Sequence, residues 1–173
     1  MQGVPPPVRA LRSLRGWIGR LTGWGAGMAA FLITTLLLGL VAGRAFQLNI
    51  VWIPETTRIV LIWGVALGAV SASCGREHFK LELFGAGDEN RPTAFDILRT
   101  GVALALFVYV AIGGYPTIAS TAMQSFASIP LSYSVMRMAV VGGVAMMAVV
   151  ELLILLEQVT LFGRVHAARG EVR

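Results

Sequence analysis

Long apolar stretches separated by short polar segments set the pattern of this 173-residue chain. They run from about Trp24 to Gly43, Thr57 to Gly75, Ile97 to Tyr115 and Val135 to Leu156. Each has the length, about 20 residues, that carries a helix across roughly 30 Å of hydrocarbon. The pattern therefore predicts an all-α integral membrane protein with four transmembrane helices. Pro54, Glu55 and Thr56 open the second span, proline being tolerated in a first helical turn and an acid favoured near the positive end of the helix dipole. Gly85-Ala86-Gly87-Asp88-Glu89-Asn90 reads as a turn-rich loop, after which Thr93 and Asp96 have capping-box spacing at the start of the third helix. Gly113, Gly114 and Pro116 mark a kink or a stop, with Thr117 to Ala127 able to continue helically. Ile129-Pro130-Leu131-Ser132 then breaks the chain before the fourth span.

Ahead of the first span, Val8 to Leu21 reads VRALRSLRGWIGRL. Leu11, Leu14, Trp17, Ile18 and Leu21 fall on one helical face and Arg9, Arg12, Arg15 and Arg20 on the other. Such a basic amphipathic helix is expected to lie in the headgroup layer, its arginines meeting anionic lipid. The alternative is a basic tail that only sets topology. The apolar stretch that follows is longer than a signal-peptide core of about 7–15 residues and has no A-x-A site at its end, so it reads as a retained helix. The expected organisation is a cytoplasmic amphipathic segment over 1–23, a four-helix membrane domain over 24–157 and a cytoplasmic tail over 158–173.

Composition agrees with this pattern: 56% of residues are hydrophobic and 13% charged, against about 25% charged in a soluble domain. The net charge of +5 does not point to nucleic acid, because the basic residues flank apolar runs instead of forming a patch interleaved with aromatics. They orient the chain. Arg9, Arg12, Arg15 and Arg20, then Arg76, Lys80, Arg91 and Arg99, then Arg164, Arg169 and Arg173 fall on one side; Arg44, Arg58 and Arg137 fall on the other. The positive-inside rule is expected to place both termini and the central loop in the cytoplasm.

Candidate chemistry is sparse. A lone cysteine, Cys74, excludes an intrachain disulfide and reads as a packing residue. Glu151 is the ionisable residue set deepest in a span, about 9 Å of helical rise before Glu157. Its carboxylate either reaches toward the interface or is neutral, meets a polar group on a partner helix, or handles substrate or protons. Haem needs histidines on facing spans, but His78 and His166 both lie outside the spans. No phosphate loop, metal-ligand cluster or nucleophile with its base stands out, so no catalytic residue and no cofactor is expected. What the spans do offer is packing surface. Gly64, Gly68 and Ala72 recur every four residues on the second helix, as do Gly39 and Gly43 on the first. Small residues of this kind serve either the internal bundle or a partner protein. Trp52 suits the interface, and Trp63 and Tyr109 read as anchoring or packing residues.

The stretch from Trp52 to Glu82 resembles the small membrane subunit, often called Q or DctQ, of tripartite ATP-independent periplasmic (TRAP) transporters. The shared ordering falls on Trp52, Glu55, Arg58, Trp63, Leu67-Gly68-Ala69, Arg76, His78, Phe79 and Glu82. Arg44 and Phe46 resemble the family's segment after the first helix, and Ser128-Ile129-Pro130 and Tyr133 its segment before the fourth. The chain departs from the family at Pro54, which replaces the first acid of a usual pair, and at Met138-Ala139-Val140, where a proline often stands. The resemblance implies a scaffold packed beside the fixed part of a large polytopic subunit. That subunit would carry the sodium and substrate sites and work as an elevator, fed with an organic acid by a soluble periplasmic protein. It further implies that Glu55 and Arg58 pair or contact partners at the periplasmic interface, and that Arg76, His78 and Glu82 sit at the cytoplasmic surface.

Three functions are thus open: an accessory scaffold of a secondary transporter, the membrane anchor of a redox complex, and an independent small channel or transporter. The shortage of polar groups at depth and the ordering around the second helix favour the first.

Overall fold

The computed structural model of the chain describes residues 6–48, 50–75 and 94–170, with side chains at 8–48, 50–75 and 95–163. The helices are α1 (Pro6–Ala45), α2 (Trp52–Cys74), α3 (Ala94–Ser120) and α4 (Ser134–Gly170). All four are long and apolar enough to cross a membrane. Among the described residues there is no strand, only an isolated bridge between Ser125 and Ser132.

The amphipathic segment and the first span form one unbroken helix of 40 residues. No proline interrupts the junction, and Thr22 turns its hydroxyl back onto the carbonyls of Ile18 and Gly19. At about 1.5 Å per residue, α1 is roughly 60 Å long, twice the hydrocarbon thickness. Its amphipathic part is turned differently from the expected arrangement. Arg12 and Arg15 face α4, while Leu14, Trp17 and Leu21 are exposed. α1 ends where Gln47 takes a left-handed φ of 56° and the N–H of Leu48 bonds the carbonyl of Gly43, which satisfies a last-turn acceptor.

α3 runs through Pro116 to Ser120. Proline removes one backbone donor, and the hydroxyls of Thr117 and Thr121 bond the carbonyls of Gly114 and Thr117 in the turns that follow. α4 likewise passes the expected end of its span and continues helically to Gly170.

The helices stand in a row. α1 packs on α2, α2 on α4, and α4 on α3; α1 also touches α4 at one end, and α3 meets neither α1 nor α2. Lipid is as apolar as leucine, so close backbone approach must supply the attraction between membrane helices. The small residues provide it. A Cβ placed on Gly64 would lie 2.8 Å from Ala29 Cβ, and one on Gly143 2.9 Å from Ala66 Cβ. Gly68 opposes Ala26, and Ser71 Oγ donates to the Gly19 carbonyl at 3.0 Å. The candidate glycines of α2 thus serve the α1–α2 contact within the chain. A buried cluster of Val70, Cys74, Val150 and Ile154, flanked by Ile18 and Met147, joins α2 to α4. Only 6% of the most apolar window of α1, and 6% of that of α3, is buried, against 33% for α4. The row has a centre and two open edges.

Candidate functional site

Polar groups gather at the two ends of the row. The terminal end carries the start of α1 and the end of α4. There Glu157 is 1% exposed, and its carboxylate accepts from Arg12 Nε at 2.6 Å and from an Arg15 terminal nitrogen at 3.3 Å. Arg12 and Arg15 are three residues apart and so lie on one face of α1, aimed at a single acid. Two cations around one buried carboxylate offset the cost of removing its charge from water. Glu151 and Gln158 are also buried on α4, and Gln158 Oε1 has no hydrogen-bond partner among the described residues.

The loop end is built from backbone. Between α3 and α4 the chain folds as a tight hairpin: Phe126 N–H bonds the Leu131 carbonyl and Tyr133 N–H the Gln124 carbonyl. The Phe126 and Tyr133 rings stack with centroids 4.2 Å apart. Ser132 Oγ donates toward the Thr121 and Ala122 carbonyls and closes the base. Near the tip, the Ser128 N–H donates to Glu55 Oε2 at 3.0 Å. Glu55 thereby ties the first turn of α2 to the connector of the other helix pair.

The structure places the sequence candidates as follows. Trp52 is half exposed at the start of α2, and Trp63 lies on the surface at its middle. Glu55 turns to Ser128 instead of Arg58, which is exposed and has no ion-pair partner among the described residues. Gly64 and Gly68 pack against α1. Glu151 faces into the row instead of toward lipid. Arg76, His78 and Glu82, like the Thr93 of the expected capping box, lie outside the described residues. No three of His, Cys, Asp and Glu come together as metal ligands among the described residues. Sequence reasoning missed the joining of Arg12 and Arg15 to Glu157, although their spacing and the shared depth of the acid carried the signal.

Residues 33–161 match the family model described as the DctQ component of tripartite ATP-independent periplasmic transporters. The chain belongs to that family. No curated protein and no solved structure matches it. The DctQ match starts inside α1 and ends inside α4, so it includes the whole Glu55–Ser128 contact but only the acid of the Glu157 cluster. As a DctQ protein the chain is a membrane component of a transport system, in a family of transporter parts instead of enzymes. The resemblance read between Trp52 and Glu82 therefore identifies the family correctly.

Proposed function

We propose that this DctQ protein is the scaffold that holds a large elevator-type subunit in place during sodium-coupled uptake of an organic acid delivered by a periplasmic binding protein. On this reading the chain has no cofactor of its own. The terminal end of the row faces the cytoplasm, and the loop end faces the periplasm of a bacterial inner membrane.

The observation that carries the proposal is the open face of α3. Gly101, Ala105, Tyr109 and Gly113 recur every four residues. A Cβ on Gly101 or Gly113 would meet nothing within 4 Å. Tyr109, at the middle of α3, is 78% exposed. In hydrocarbon its hydroxyl has no hydrogen-bond partner, a costly arrangement that a neighbouring protein helix relieves. α1 and α2 use the same small-residue device within the chain, whereas α3 leaves it open for another.

Gentle solubilisation of the tagged chain should bring down a much larger polytopic protein, and Tyr109→Leu together with Gly113→Leu should weaken that capture. Liposomes should take up an organic acid, with sodium, only when the large subunit and the binding protein are both present. Uptake by liposomes holding this chain alone would refute the scaffold role. A reporter fused to the C-terminus should be active only if that terminus is cytoplasmic.

A further inference from the structure

Along one side of the row, α1 and α2 form an open cavity of about 830 Å³ that no other helix among the described residues covers. Its walls include Trp24, Phe31 and Leu32 of α1 and Ile59 and Trp63 of α2. Its size is within the roughly 300–1,000 Å³ of pockets that take small ligands. Along α1 the lining runs from Gly19 to Leu32, a rise of about 20 Å, enough for the half of the ~30 Å hydrocarbon core that belongs to one leaflet.

Charge says what covers it. Arg20 is the one charged residue in the lining. It is also the last charge before an uncharged run from Leu21 to Gly43, so it stands at headgroup level where the span begins. Arg12 and Arg15 are taken up by Glu157. Arg20 has no carboxylate among the described residues, and only its Nε bonds, to the Gly16 carbonyl. The planar guanidinium keeps a fork of donors suited to a phosphate. Gly27, in the cavity wall, leaves space that no neighbouring atom fills.

We propose that this groove holds an acyl chain of an anionic phospholipid whose headgroup phosphate is bound by Arg20. Trp24 and Trp63 flank the chain and report on it.

The test uses the full-length protein, with any membrane partner that accompanies it, in phosphatidylcholine vesicles. These contain either brominated phosphatidylglycerol or brominated phosphatidylcholine at equal mole fraction. Bromine quenches nearby tryptophan, so Trp17→Phe and Trp52→Phe are introduced, and the groove signal is the part of the quenching that disappears when Trp24→Phe and Trp63→Phe are added. Quenching should favour phosphatidylglycerol by about fivefold, the size expected of one basic side chain meeting an anionic lipid. Arg20→Gln should abolish that preference. Gly27→Leu, whose Cβ meets no atom within 4 Å and whose side chain occupies the groove, should remove the saturable part of the quenching. Millimolar inorganic phosphate should displace nothing. Equal quenching by the two lipids, a preference that survives Arg20→Gln, displacement by phosphate alone, or indoles shielded from both lipids by a partner helix would each overturn the proposal.

Discussion

At the terminal end of the row a buried carboxylate on α4 is gripped by two guanidinium groups from α1. At the loop end a half-buried carboxylate on α2 accepts a single backbone N–H from a hairpin that is already closed by its own hydrogen bonds and ring stack. Both contacts bridge elements distant in sequence, yet they differ in burial and charge. Glu157 is a buried charge held by two cations, so its loss takes from a partly buried place the carboxylate that both arginines share. Glu55 adds to a structure that holds without it. Strength here follows desolvation and charge, more than the count of contacts.

The largest effect should come from Glu157→Ala. Removing one partner of a buried ion pair costs about 3–5 kcal/mol, and the opening of α1 from α4 should expose Cys74, which is 8% exposed and packs between Gly19 and Ile154. Its labelling by a thiol reagent should rise by about 100-fold or more, since each 1.4 kcal/mol is tenfold. An unchanged rate would mean that the cluster is ornamental. Next, Gly143→Leu forces atoms against the Ala66 backbone and should cost about 1–3 kcal/mol, as overpacking does. A lowered melting temperature in detergent would register the separation of α2 from α4. Glu55→Ala should cost about 1 kcal/mol. It should speed hydrogen exchange at Ser128 while leaving Cys74 labelling as it was; a change at Cys74 would show the two ends to be coupled. Arg58→Ala, an exposed side chain without a partner among the described residues, should shift stability by less than about 0.5 kcal/mol.

Much of this was legible from sequence because membrane spans obey one-dimensional rules. Apolar runs of span length located all four helices, Pro54 and Glu55 fell in the first turn of α2, and the four-residue spacing of Gly64 and Gly68 marked a contact face. The order of the helices was not legible. α2 and α4 are both apolar on several faces, and nothing local says that α4 inserts beside α2 and leaves α3 outside. The Glu157 cluster was hidden for the same reason: its partners are separated by 145 and 142 residues, and the arginines read naturally as lipid-facing until α4 was placed beside them. The Glu55 contact hid differently, since its partner is a backbone N–H that any residue at position 128 other than proline would supply.

The place of α3 in the row also fixes an order of assembly. Chain synthesis delivers α1 and α2 first, and their glycine faces allow them to associate at once as a hairpin. α3 follows into the bilayer with no surface waiting for it, because the helix it packs against has yet to be made. It must therefore persist as a lone span until α4 arrives and slots between it and α2. The mean hydropathy of 1.9 over its most apolar window supports that solitary interval. A charge placed midway along α3 should accordingly show itself first as failed insertion, before any contact in the finished protein is tested.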